Sequence, residues 1–167
     1  MDFLPVAAAL GAEVEGIDLG TPMNGTEVDA LHEGLTEHKV LFFRDQRLEP
    51  KALLELGLSL GDVDPGHPVY PHASGFPSVV ELISDGDNPP DTDDWHKDVT
   101  FKPEPPFASI LLAVSVPPVG GDTLWVNMSA VYEGLSAGWK ADINQLFAVH
   151  DMGTFRNDYF RDGGISA

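Results

Sequence analysis

The chain of 167 residues contains no cysteine. Disulfide frameworks, thiolate zinc sites and cysteine nucleophiles are therefore excluded, and any metal must be held by His, Asp or Glu. Basic residues are scarce: 9 Lys and Arg stand against 27 Asp and Glu, for a formal net charge of −18. A chain this acidic repels phosphate backbones and anionic bilayers, so nucleic acid and membrane surfaces are excluded as partners. The same field opposes any small anionic ligand, which would need a few locally placed donors. Long hydrophobic runs are missing too. The apolar stretch near the N-terminus is too short to span a bilayer and has no basic region ahead of it, so a cytoplasmic location is expected.

What is present suits a folded domain. Hydrophobic residues make up 43%, the mean hydropathy is −0.07, and 17 Gly with 14 Pro favour a loop-rich β architecture over a helical bundle. Alternation over 13–19 predicts a short strand, and Thr26 with Asp29 resembles a capping arrangement that opens a helix carrying Val28, Leu31 and Leu35. The apolar run 39–43 reads as a buried strand, and 50–60 reads as a second helix stopped by Gly61. Further strands are expected at 79–83, around 95–101, at 109–116 (the strongest strand signal) and at 123–126. Helices are expected at 129–135 and 139–147. The polar segment 85–94 has the composition of a solvated loop. The order of elements suggests a mostly β fold, a sandwich or barrel with helices packed outside.

The sharpest chemical feature is Trp95-His96-Lys97-Asp98, an H-x-D motif. On a strand, residues two apart share a face, so His96 and Asp98 could ligate one metal. One imidazole and one carboxylate are two corners of a 2-His-1-carboxylate triad, which leaves positions open on Fe(II). By spacing alone the motif is more often a surface histidine beside a solvated aspartate.

Context sharpens the reading. The stretch DNPPDTDDWHKDVTFKPEPPFASILLAVSVPPVGGDTLW, with HKVLFFRDQ at 38–46 and GHPVYPHASG at 66–75, resembles the taurine dioxygenase family, in order and with compatible spacing over most of 11–135. The resemblance implies a double-stranded β-helix of jelly-roll type and an Fe(II)- and 2-oxoglutarate-dependent dioxygenase using O₂. The implied reaction hydroxylates the carbon next to a sulfonate or sulfate ester and releases an aldehyde with sulfite or sulfate.

Carried over residue by residue, the resemblance puts His96 and Asp98 at the first two iron ligands. It puts Thr123 at the hydroxyl that binds a carboxylate of 2-oxoglutarate. His67 and Tyr70 fall where the family contacts the sulfonate and amine ends of taurine, although a turn with buried aromatics would look the same. Thr92 replaces the family's taurine-contacting asparagine, so a sulfonate other than taurine, or a sulfate ester, fits as substrate. Phe155 lies near an aromatic that lines the family's substrate pocket.

The family's distal histidine ligand and co-substrate arginine have no counterpart. His150 is the one histidine after Asp98 and matches a non-ligand His-Asp pair, and Arg156 and Arg161 do not occupy the arginine position. The expectation is a single incomplete dioxygenase domain over 1–167, the N-terminal portion of a longer enzyme, inactive as this chain alone. A homo-oligomer fits the family pattern. Two alternatives remain at this level. One is a non-catalytic binding module retaining a metal half-site. The other is a different metal enzyme in which His67 or His72 completes a site with His96 and Asp98.

Overall fold

A computed structural model describes residues 1–67, 70–85 and 95–151. The chain divides into two compact units, Met1–Ala52 with Leu112–Phe147, and Leu53–Leu111 with Ala148–Ala167.

The first unit is organised by a three-stranded sheet in the order β1-β2-β3, comprising β1 (Asp2–Pro5), β2 (Ala12–Glu15) and β3 (Leu41–Phe42). β1 and β2 are antiparallel with Phe3 opposite Val14, whereas β2 and β3 are parallel with Ala12 opposite Leu41. A parallel pair needs a crossover, and helix α1 (Gly25–His38) supplies it. The period of two places Ala12 and Val14 in the core, while Glu13 faces outward and pairs with Arg44 at 3.2 Å. Leu19 and Leu31 are buried with them.

Helix α1 opens at Asn24 rather than at Thr26. The Asn24 side chain accepts from the Glu27 N–H at 3.1 Å, and the Glu27 carboxylate accepts from the Asn24 N–H at 2.8 Å, a reciprocal capping box that Thr26 and Asp29 do not form. The helix ends where Lys39 turns left-handed (φ 70) and its N–H reaches the Leu35 carbonyl. The strand expected over 39–43 is thereby shortened to Leu41–Phe42. Beyond it, Gln46 substitutes for a ladder: its side-chain oxygen accepts from the Leu19 N–H at 2.8 Å and its amide donates to the carbonyls of Arg44 and Ile17.

Two short helices close the first unit, α3 (Met128–Gly134) and α4 (Ala137–Ile143), capped by Asn127 and Ser136. Asn127 also donates to the Ala9 carbonyl at 2.8 Å, and Tyr132 donates to Asn144 across the helix pair. Helix α2 (Pro50–Leu60) forms as the sequence predicts and buries Leu56.

In the second unit, 71–81 folds back on itself. A bridge joins His72 to Val80, and hydrogen bonds run from Ala73 N–H to Val79 and from Glu81 N–H to Pro71, which buries Ala73. This turn-like hairpin replaces the strand expected at 79–83.

Among the described residues the three strands are outweighed by the four helices, which departs from a mostly β reading. The segments 95–101, 109–116 and 123–126 carry no ladder. A strand is defined by its partner, and apolar residues with strong strand preference form none where no second backbone lies alongside. Several stay open to solvent, among them Val114, Val116 and Leu124. No helix among the described residues is long and apolar enough to cross a membrane.

Candidate metal and substrate site

His96 and Asp98 do come together, in a segment that carries no ladder. Residues 98–101 form a turn, and Val99 takes a left-handed φ of 54. Asp98 opens that turn, and the His96 Nε2 lies 3.4 Å from the Asp98 Oδ1. Both side chains are more than half exposed. The other carboxylate oxygen, Oδ2, accepts from the Ser109 hydroxyl at 3.2 Å, which orients the group. Ser109 carries no signal of this in the sequence, where it reads as the start of a strand.

A first-row divalent ion holds nitrogen and oxygen donors at about 2.0–2.2 Å, so two neighbouring donors on one ion sit roughly 3 Å apart. The observed separation, one imidazole nitrogen and one carboxylate oxygen converging, fits such a pair of ligands. Among the described residues no group of three His, Asp or Glu is arranged to hold a metal. Neither His67 nor His72 therefore completes a site with His96 and Asp98. His72 instead directs its Nδ1 at the Ala73 carbonyl, 3.3 Å away, within the 71–81 hairpin.

His67 and Tyr70 also lie in the second unit and form one small platform, their ring centroids 4.7 Å apart and tilted by 34°. The Tyr70 N–H donates to the His67 Nδ1 at 3.4 Å, a long bond that favours the tautomer with its proton on Nε2. Burial lowers the His67 pKa below its ordinary value of 6.5. The carboxylates of Asp64 and Asp98 pull the other way, and the ammonium of Lys102 adds to the lowering. Desolvation wins, so this imidazole is held neutral. Lys102 is ion-paired with Asp64, 38 positions away, a contact that no local pattern announces.

Thr123 belongs to the first unit and is exposed. Its segment is anchored by Trp125, which meets Phe42 edge to face at 5.5 Å and 77°. Thr92 and Phe155 lie outside the described residues, as do Arg156 and Arg161. His150, set aside as a ligand, bonds through Nδ1 to the Thr100 hydroxyl at 2.9 Å.

With this geometry in place, the chain can be set beside known proteins. The sequence model of a family described as taurine catabolism dioxygenase TauD, TfdA family matches residues 2–163. The chain is 36% identical over 151 residues to an alpha-ketoglutarate-dependent sulfate ester dioxygenase of Pseudomonas putida, covering 90% of this chain and 49% of that protein. It is 38% identical over 141 residues to an alkylsulfatase of Acinetobacter baylyi, covering 84% and 44%. Its fold superposes on a taurine dioxygenase from Burkholderia xenovorans with a TM-score of 0.74 at 36% identity, over 86% of this chain and 51% of that one. The chain thus spans about half the length of the relatives it matches.

Proposed function

The chain belongs to the taurine catabolism dioxygenase TauD, TfdA family, and from that premise we propose that it carries the first two metal ligands and part of the substrate site of an Fe(II)- and 2-oxoglutarate-dependent dioxygenase. The substrate is a small sulfate ester or sulfonate. In this reading residues 1–167 form one part of a single jelly-roll domain that works in the cytoplasm. The observation that carries it is the 3.4 Å approach of His96 Nε2 to Asp98 Oδ1.

Each residue has a defined task. His96 offers a ring nitrogen and Asp98 a carboxylate oxygen, while Ser109 holds the second oxygen and limits rotation of the carboxylate. Thr123 donates its hydroxyl to a carboxylate of 2-oxoglutarate. His67, kept neutral by burial with its proton on Nε2, donates to an oxygen of the sulfur head group. Tyr70 flanks it and closes that end against water. Thr92 offers a hydroxyl where taurine recognition needs an amide, which favours a substrate without the taurine amine.

Iron held by His96 and Asp98, with 2-oxoglutarate and O₂, would supply the oxidising power for hydroxylation of the carbon next to the sulfur head group. The resulting geminal adduct collapses to an aldehyde, with sulfate leaving from an ester or sulfite from a sulfonate. The protein contributes position and exclusion of solvent rather than an acid or base.

In an enzyme that contains these residues within a whole domain, release of sulfate from an alkyl sulfate, or of sulfite from an alkyl sulfonate, is expected to require both Fe(II) and 2-oxoglutarate. In direct binding, loss of the free Mn(II) electron paramagnetic resonance signal should report occupancy by the chain, and His96→Ala and Asp98→Ala should each restore the free signal. Mn(II) binding that is indifferent to both substitutions would overturn the assignment.

A further inference from the structure

The turn that carries Asp98 is strained, and one of its supports comes from far along the chain. Val99 has φ 54, a left-handed conformation that a β-branched side chain resists. Such backbone persists only where neighbouring contacts over-determine it. Three contacts do so here. The Lys102 N–H donates to the Val99 carbonyl at 3.1 Å and closes the turn. The Ser109 hydroxyl donates to the Asp98 Oδ2 at 3.2 Å. The His150 Nδ1 meets the Thr100 Oγ1 at 2.9 Å, 50 positions away in sequence. The first two are local. The third ties the turn to the segment after helix α4, and both partners lie within the second unit.

We propose that His150 is a positioning residue for the metal half-site: its bond to Thr100 clamps the 98–101 turn so that Asp98 stays facing His96. The inference rests on the reading of His96 and Asp98 as ligands, and it gives a role to a histidine that is itself no ligand. The chemistry suits the task. A threonine hydroxyl both donates and accepts, so the contact forms whichever ring nitrogen carries the proton. Thr100 sits two positions after Asp98 with strained Val99 between them, so holding the hydroxyl holds the direction in which the carboxylate leaves the backbone. Groups that orient ligands without touching the ion act through this kind of restraint.

The test uses the full chain and Mn(II) as probe. His150→Ala and Thr100→Val are each expected to weaken Mn(II) binding about tenfold. The double variant should be no weaker than either single one, because both remove the same bond. His150→Asn, whose amide reaches the position of Nδ1, should bind within about twofold of the parent, a rescue that a general packing role would not produce. A second readout needs no metal: amide hydrogen exchange at Lys102, which reports closure of the turn, should quicken in His150→Ala and recover in His150→Asn. Additive losses, or an unchanged affinity in His150→Ala while His96→Ala loses the ion, would overturn the proposal. If His96→Ala kept its affinity, the ligand assignment would be what failed. Unaltered Lys102 exchange in His150→Ala would then refute the clamp on its own.

Discussion

At the scale of single residues, His67 links composition to behaviour. Its pKa is lowered chiefly by burial, against the opposing pull of Asp64 and Asp98. A histidine whose folded pKa lies below its unfolded value binds fewer protons when folded, so stability rises with pH through that window. The contribution is fully present above the ordinary value of 6.5 and is lost as pH falls from there through the lowered folded pKa. Denaturant midpoints taken from about pH 7.5 down to pH 5 should fall over that interval, and His67→Asn should flatten the fall. A variant as steep as the parent would show that other groups set the slope. Asp98 is held by geometry instead, through the Ser109 hydroxyl and the turn that follows it.

Among the elements, α1 shows how close packing restricts residue choice. Gly34 faces β1, and a Cβ built there would lie 2.2 Å from the Phe3 Cε1. Phe3 in turn stacks on His38 at 5.9 Å, so its ring has little room to yield. Alanine at 34 gains about 1 kcal/mol in helix propensity but forces an overlap that costs about 1–3 kcal/mol. Gly34→Ala should therefore destabilise the chain, and adding Phe3→Ala should recover part of the loss in chemical denaturation. A Gly34→Ala variant more stable than the parent would mean that the β1–α1 contact is not made as described. The capping box at Asn24 and the Gln46 side-chain bonds are local counterparts, each satisfying backbone groups that would otherwise lack partners.

For the whole molecule, the net charge of −18 dominates. Like charges repel more in the compact state than in the expanded chain, so screening favours folding. Raising ionic strength from about 0.01 M to 0.15 M shortens the screening length from roughly 30 Å to 8 Å. The melting temperature should rise over that range with a simple salt such as NaCl. A fall would show that attractive pairs, such as Lys102 with Asp64 and Lys140 with Glu133, outweigh the general repulsion. The small core belongs to this scale too: among the described residues six hydrophobic ones are buried, while Val114, Phe147 and Val149 are almost fully exposed.

The sequence alone determined what depends on order and residue type. Helices α1 and α2 follow from apolar spacing, and His96 and Asp98, the proposed ligands, stand out through a motif whose meaning rests on its flanking segments. It mistook the cap of α1 by two positions because Thr26–Asp29 and Asn24–Glu27 both offer plausible side chains, and only the hydrogen bonds choose between them. It predicted ladders at 109–116 and 123–126 because strand preference is a property of residues, whereas a ladder is a property of two backbones. The tertiary structure alone decided that Asp98 opens a turn, that burial rather than charge governs His67, and that His150 reaches Thr100. Each of those depends on which distant groups the fold brings within a few ångströms, and no local pattern encodes that distance.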